Sequence, residues 1–124
     1  MQERRFEILD HTADAAIRAY GSNPAELFEN AARGMFSLMF DLSEIPRTES
    51  RAIAVQAATP EDLLVSWLKE LLFLFETEHM AFGEFHVTSL TFPTRTSAGS
   101  LQAEASGGQC AHLGRLGAAV KAVT

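Results

Sequence analysis

Apolar side chains recur at intervals of three and four residues in two segments of the chain, which is the spacing of one face of an α-helix. Before the first segment, Asn23 suits the N-cap and Pro24 the first helical position, so we expect a helix from Pro24 to near Asp41. Thr59 and Pro60 repeat this start before the second segment. Further apolar residues on the sides of the second helix predict that it is heavily buried at the centre of the core. The periodic positions are Leu27, Phe28, Ala31, Met35, Leu38, Met39 and Leu42 in the first helix, and Leu64, Trp67, Leu68, Leu71, Leu72 and Phe75 in the second, with Leu63, Val65, Phe73 and Leu74 on its sides.

Short segments in which apolar and polar residues alternate, or in which β-formers are frequent, predict strands around the two helices. These segments are residues 5–9, 15–20, 51–57, 82–92, 100–105 and 118–124. Gly107 and Gly108 are expected to open a glycine-containing loop that runs to Gly117. The order of the elements predicts one α+β domain over residues 1–124, a two-layer structure with both amphipathic helices packed on one face of a mixed or antiparallel β-sheet.

Composition narrows the classes of protein to which the chain can belong. It has 124 residues, 47% of them hydrophobic and 21% charged, which is typical of a folded globular domain. Sixteen acidic and ten basic residues give a net charge of −6, which argues against strong direct binding to nucleic acid. Three arginines near the first two predicted strands form either a small anion patch or a solvated sheet face: Arg4, Arg5 and Arg18. The single cysteine, Cys110, favours a reducing compartment such as the cytoplasm, and the apolar run at residues 71–75 is too short to cross a membrane.

The densest polar cluster lies between the first two predicted strands, where a loop can direct several side chains toward one point. It contains Asp10, His11, Thr12 and Asp14. Two carboxylates are suitable ligands for a hard cation such as calcium or magnesium. The alternative is an ordinary turn in which the Asp and Thr side chains hydrogen-bond to the backbone. The pattern alone leaves both interpretations open.

The other titratable residues give weaker indications of chemistry. Residues 76–79 follow the predicted second helix and could supply another carboxylate, or could simply be its solvated end. His86 and His112 have no Cys or His partner at zinc spacing, so no zinc site is expected. Cys110 is expected to be a free loop thiol rather than a nucleophile, because no nucleophile signature surrounds it.

Several ordered blocks of this sequence resemble those of the archease family, and together they extend over nearly the whole chain. They are LDHTAD at residues 9–14, IRAYG at 17–21, LFENAA at 27–32, MFSLM at 35–39, DLLVSWLKELLFLFETE at 62–78 and KAVT at 121–124. The resemblance implies a calcium-binding α+β protein that has no catalytic residues of its own. It further implies an accessory protein that activates the RNA-splicing ligase that joins tRNA exons, by promoting guanylylation and multiple turnover of that ligase.

The family resemblance also implies which residues form the site. The aspartate that closes the family's His-Thr-Ala-Asp motif corresponds to Asp14, which is the expected metal ligand, with Asp10 and His11 as supporting or partner-facing residues. Archeases continue past the last block through another strand to an acidic end that completes the metal site. Because this sequence ends at Thr124, we expect calcium to be held weakly or not at all.

Two alternatives to ligase activation remain open. Family members are also implicated as modulators of a tRNA cytosine methyltransferase, which implies a chaperone-like role. A small enzyme that uses Asp14 and His11 as an acid and base pair is a third hypothesis, and it predicts a deep pocket and turnover by the chain alone.

Overall fold

The computed structural model describes residues 5–9 and 16–114. Its first two strands, β1 (Phe6–Leu9) and β2 (Ala16–Ala19), form a two-stranded antiparallel sheet, which we call the β1–β2 hairpin. Both strands were predicted from the sequence, with slightly wider bounds. The predicted last strand, residues 118–124, lies outside the described residues.

Helix α1 spans Pro24–Ser37 and begins where the capping pattern predicts. The side chain of Asn23 accepts the backbone N–H of Glu26 at 2.9 Å. The Glu26 carboxylate in turn accepts the hydroxyl of Ser22 at 3.1 Å. These bonds stabilise the first turn, where backbone donors have no partner within the helix.

The end of α1 differs from the sequence prediction, because the helix stops at Ser37 rather than near Asp41. The N–H groups of Leu38 and Met39 bond to carbonyls three residues back, at 3.3 and 3.0 Å, which tightens the last turn. The Asp41 carboxylate then accepts hydrogen bonds from the 3-10 turn Leu42–Glu44, so the chain leaves the helix axis there.

The remaining strands form a three-stranded antiparallel sheet. Strands β3 (Glu49–Ala57), β4 (Met80–Thr91) and β5 (Gly99–Gln109) lie in the order β3-β5-β4, so the last of them in sequence is the central one. The sequence predicts all three, and each begins one or two residues earlier than predicted. Strand β4 carries two register shifts, which leave Gly83 and Thr88 as bulge residues.

The loop predicted from Gly107 to Gly117 is wrong at its start, because β5 continues through Gln109. A Cβ atom on Gly107 would clash with the backbone carbonyl of Ala81 on β4. The glycine therefore permits a close approach of two strands beside the Gly83 bulge and does not break the strand. Sequence alone does not separate these two uses of glycine.

Helix α2 spans Pro60–Glu78 and is capped as predicted, since the Thr59 hydroxyl oxygen accepts the N–H of Asp62 at 3.1 Å. Its end is later than predicted. Residues 76–78 belong to the last turn, and His79 is the C-cap in the left-handed conformation with φ of 56°. The interpretation of residues 76–79 as a segment after the helix is therefore wrong.

Both helices pack on the same face of the three-stranded sheet and bury one aromatic cluster between the layers. Trp67 of α2 is fully buried, and its indole N–H donates to the carbonyl of Phe28 in α1 at 2.9 Å. The ring of Phe36 in α1 contacts Phe75 of α2 and Phe85 of β4, with centroids 6.4 and 6.1 Å apart. The predicted α+β fold, with two helices on an antiparallel sheet, is confirmed.

Helix α2 is less completely buried than its apolar sides predict. Leu63 on one flank is fully buried, but Phe73 is 56% exposed. Because the helix lies against the sheet on one face, its opposite face remains in contact with solvent. Within the described residues, no helix combines the length and apolar character needed to cross a membrane.

Candidate functional site

The loop singled out by the sequence connects the two strands of the β1–β2 hairpin. Asp10, His11 and Asp14 lie outside the described residues. The structure does show the frame from which this loop leaves, because Leu9 and Ala16 stand opposite each other in the antiparallel register. The position of the loop therefore depends on how firmly the β1–β2 hairpin is held to the rest of the protein.

Polar contacts hold the two strands of the β1–β2 hairpin together and attach the hairpin to α1. Arg18 and the Tyr20 hydroxyl both donate to one Glu7 oxygen, at 3.1 and 2.7 Å. The side-chain amide of Asn30, which is 2% exposed, donates to the Tyr20 carbonyl at 2.6 Å. Glu7 thus neutralises the charge of Arg18, which favours the predicted solvated sheet face over the predicted anion patch at this residue. Arg4, the first arginine of that predicted patch, lies outside the described residues.

The same network continues from α1 to the sheet. Arg33 donates to the Asn30 side-chain oxygen at 2.6 Å and to Glu84 of β4 at 2.8 Å. Arg47 lies 3.1 Å from the second Glu84 oxygen. The Arg33 hydrogen bond, followed by the charges of Arg33, Arg47 and Arg5, lowers the pKa of Glu84 below its usual value of 4.5. A continuous polar path therefore joins the hairpin, α1 and β4.

Sequence reasoning missed the residues of this path. Arg33 and Glu84 are 51 positions apart, and no local pattern relates them. The one local signal was Asn30, a polar residue among the buried positions of α1. A buried amide needs partners for its donors and acceptors, so it can be taken as a marker of a tertiary hydrogen-bond network.

A second contact between α1 and the sheet lies on the outer edge of β4, which has no neighbouring strand among the described residues. The Glu29 carboxylate accepts the backbone N–H of Val87 at 2.8 Å, beside the bulge at Thr88. An edge strand has free backbone groups that attract other chains. Here a helix side chain occupies one of them.

The acidic end of α2 has a structural role in the described structure. Glu78 accepts two bonds from the Arg51 guanidinium of β3, at 3.2 and 3.0 Å. This hydrogen bond to Glu78 raises the pKa of Arg51. Glu78 therefore connects α2 to β3, and the alternative of a solvated helix end is closer to the structure than that of a metal ligand.

The remaining cysteine and two of the histidines differ in their exposure to solvent. Cys110 is a thiol in the loop after β5, as predicted, but it is buried, and its Sγ donates to the carbonyl of His79 at 3.1 Å. His86 is exposed on the outer face of the sheet, and His112 is exposed in the turn after β5. Within residues 5–9 and 16–114, no group of three or more His, Cys, Asp or Glu side chains is placed to hold a metal ion.

An open groove of about 440 Å³ runs between the start of α1 and the end of β4. Asn23, Pro24 and Ala25 form one wall, and residues 87–90 with Phe92 form the other. No acidic, basic or histidine side chain lines it in the described structure. The groove therefore offers no acid and base pair for catalysis.

Comparisons with known proteins agree with this fold. The sequence model of the Archease protein family matches residues 6–124. Protein archease of Methanosarcina barkeri is 44% identical over 89 residues, which are 72% of this chain and 61% of that protein. Protein archease of Methanosarcina acetivorans is 39% identical over 110 residues, which are 87% of this chain and 73% of that protein. The aligned part thus spans less than two thirds of the length of the first of these relatives.

A solved structure is similar over almost all of the chain. The solution structure of Methanobacterium thermoautotrophicum protein 1598 superimposes with a TM-score of 0.74 at 35% sequence identity. The superposition covers 96% of this chain and 83% of that one.

Proposed function

The chain belongs to the archease family, and we propose that it is an accessory protein that activates a tRNA-splicing RNA ligase by promoting guanylylation and multiple turnover of the ligase. The observation that carries the proposal is the family match over residues 6–124. The first block of resemblance, LDHTAD at residues 9–14, contains the residues to which the family motif assigns the metal site. The single cysteine agrees with a reducing compartment such as the cytoplasm.

The charge of the chain supports a protein partner of this kind. Its net charge of −6 is complementary to the basic surface that an RNA-binding enzyme must present to its substrate. Complementary charge raises the rate of association between two proteins. The same net negative charge repels the phosphate backbone of RNA, so it opposes direct binding of RNA to most of the protein surface.

For the metal, we propose that Asp14 supplies a carboxylate ligand to a divalent cation, with calcium as the expected ion. Asp10 and His11 are supporting or partner-facing residues in this proposal. Carboxylate oxygens are the ligands that calcium prefers. The contacts within the β1–β2 hairpin and between the hairpin and α1 support the proposal, because they fix the two strands from which the loop departs.

The test is multiple-turnover ligation of RNA by the cognate splicing ligase, with GTP and a divalent metal, in the presence or absence of this chain. Asp14→Asn and Asp62→Asn remove the same charge, and Asp62 lies on the exposed first turn of α2. We expect the wild-type chain and Asp62→Asn to raise turnover equally, and Asp14→Asn to lose the gain. A folded wild-type chain that leaves turnover unchanged contradicts ligase activation.

Metal binding needs its own measurement. Calorimetric titration with calcium is expected to give at most weak binding by the wild-type chain, equal binding by Asp62→Asn, and no measurable binding by Asp14→Asn. If turnover rises while calcium does not bind, the activator role stands and the metal role of Asp14 is wrong.

The alternatives predict different results from the same samples. A chaperone of a tRNA cytosine methyltransferase would raise the melting temperature of that enzyme, and the rise would persist after chelation. A small enzyme would convert a substrate without any partner, and replacement of His11 would abolish that reaction.

A further inference from the structure

Two arginines from different parts of the chain contact the carboxylate of Glu84, and a third acts on it through its charge. Arg33 Nη2 lies 2.8 Å from one Glu84 oxygen, and Arg47 Nη1 lies 3.1 Å from the other. The charge of Arg5 also acts on this carboxylate. We call Arg5, Arg33, Arg47 and Glu84 the arginine cluster.

The arginine cluster has a fixed base and an open rim. The Arg33 side chain is 11% exposed, and Asn30 and Glu84 hold its two terminal nitrogens. Asn30 is itself fixed by its bond to the Tyr20 carbonyl. By contrast, the Arg47 side chain is 49% exposed, and Arg5 is also exposed. The exposed Arg47 and Arg5 can therefore donate hydrogen bonds to a ligand, while Arg33 does not have to reorganise when the ligand binds.

The charges of the arginine cluster do not cancel. Among the described residues, Glu84 is the only carboxylate that a hydrogen bond or ion pair joins to any of its three arginines. Arg33 and Arg47 against one carboxylate leave an excess of one positive charge, and Arg5, whose charge lowers the pKa of the same carboxylate, brings the excess to two. Elsewhere the ratio is reversed, since Arg51 lies between Glu49 and Glu78. The cluster is thus a local cationic site in a chain of net charge −6.

We propose that the arginine cluster binds a phosphate monoester group. Such a group carries a charge of about −1.5 to −2 at pH 7 and three strong acceptor oxygens, so it neutralises the excess of two positive charges. A carboxylate or a phosphodiester brings one negative charge and leaves the cluster cationic. Guanidinium groups suit this ligand because their fork of donors matches the geometry of phosphate oxygens. The inference is independent of the proposed ligase role.

The test is an NMR titration of the ¹⁵N-labelled chain that follows the arginine side-chain signals at constant ionic strength. The probes are inorganic phosphate, adenosine 5′-monophosphate and a short RNA with a 5′-phosphate. We expect saturable shifts at Arg47 and Arg33, and a dissociation constant about tenfold higher in Arg47→Gln, the loss of about one charge-assisted hydrogen bond. Arg95→Gln removes the same charge in the exposed turn between β4 and β5 and is expected to leave binding unchanged.

The arms of the titration separate the sources of the phosphate group. Tighter binding of the RNA than of inorganic phosphate identifies a nucleic-acid terminus as the ligand, and equal binding identifies the free ion. The same RNA with a 5′-hydroxyl, and a hexaglutamate peptide, are expected to bind at least about tenfold more weakly. Arg47→Lys keeps the charge but loses the fork, and we expect it to lie between the wild type and Arg47→Gln.

Three results would overturn the proposal. The first is the absence of saturable shifts with all three phosphate probes. The second is equal weakening in Arg95→Gln and Arg47→Gln, which would show that only overall charge matters. The third is comparable affinity for the hexaglutamate peptide or the 5′-hydroxyl RNA.

Discussion

Glu84 illustrates how a half-exposed residue acquires a structural role from its neighbours. Its carboxylate is the counterion of Arg33, which is mostly buried between α1 and β4. A buried charge without a partner is costly. Glu84 therefore stabilises the protein mainly by giving the buried Arg33 guanidinium a partner, and its exposed ion pair with Arg47 contributes less. The Glu84 oxygen that contacts Arg33 therefore contributes more to the stability of the fold than the oxygen that contacts Arg47.

We predict that Glu84→Gln lowers the free energy of unfolding by about 1 kcal/mol at neutral pH, because a neutral amide replaces the charged acceptor of Arg33. Urea denaturation measures this difference. The matched control is Glu104→Gln, which removes an exposed carboxylate from β5 and is expected to have no measurable effect. Equal losses in both variants would show that the effect comes from net charge.

The same variant has a defined pH dependence. The Arg33 hydrogen bond and the charges of three arginines lower the pKa of Glu84 below its usual value of 4.5. The stabilisation is therefore fully present above that value and disappears as the pH falls through the lower pKa of the folded state. We expect the stability difference between wild type and Glu84→Gln to be constant from neutral pH to about pH 5.5 and to shrink below about pH 4.5. A difference that grows on acidification contradicts this assignment.

Sequence reasoning identified residues whose partners are close in the chain and missed those whose partners are distant. Asn23 and Thr59 were predicted as caps because the bonds they accept come from three residues away. Arg33 and Glu84 meet only after α1 and β4 have packed together. The residues from Asp10 to Asp14 were singled out as a polar cluster and received their roles from the family resemblance, and they remain predictions because they lie outside the described residues.

At the scale of elements, the start of each helix was predictable and its end was not. Both starts carry a capping residue followed by proline, which is a strong local signal. Neither end carries a glycine, the usual signal for termination. Helix α2 instead ends at Glu78, where the end of β5 supplies partners: the Gln109 side chain donates to the Glu78 carbonyl at 3.2 Å. The N–H of Cys110, the residue after β5, donates to the carbonyl of the C-cap His79 at 2.9 Å.

We predict that His79→Gly raises the free energy of unfolding by about 0.5–1 kcal/mol. His79 has a positive φ, a conformation that glycine adopts without the steric cost of a Cβ atom. His79→Ala keeps the Cβ atom and is expected to give no gain. Urea denaturation of the three proteins measures the effect, and equal stabilisation by alanine would assign it to the imidazole rather than to the backbone.

The edge of β4 supports a second prediction at this scale. Glu29→Ala leaves the Val87 N–H without its carboxylate partner and should cost about 1 kcal/mol, whereas Glu29→Gln keeps an acceptor and should lose less. Hydrogen exchange at the Val87 amide measures the contact directly. Faster exchange in Glu29→Ala than in Glu29→Gln is expected, and unchanged exchange in both would mean that the bond does not protect this edge.

The whole molecule presents an acidic surface with one described cationic cluster. If it docks on a basic ligase as proposed, the association rate constant should fall steeply as salt is raised from about 50 mM to about 500 mM, since screening shortens the range of the attraction. The dissociation rate constant should change less. Surface plasmon resonance measures both, and a salt-independent association rate would mean that overall charge does not guide docking.

The strand order also determines when this fold can form on the ribosome. Among the described strands, β5 is the last to be synthesised, yet β3 and β4 each pair only with it. Until Gln109 has left the exit tunnel, neither strand has its hydrogen-bonding neighbour. The aromatic side chains of α1 and α2 then have no complete sheet to pack against. The nascent chain therefore exposes β3, and later β4, as unpaired strands beside an open core until β5 emerges, and this is the interval in which a chaperone protects such a chain best.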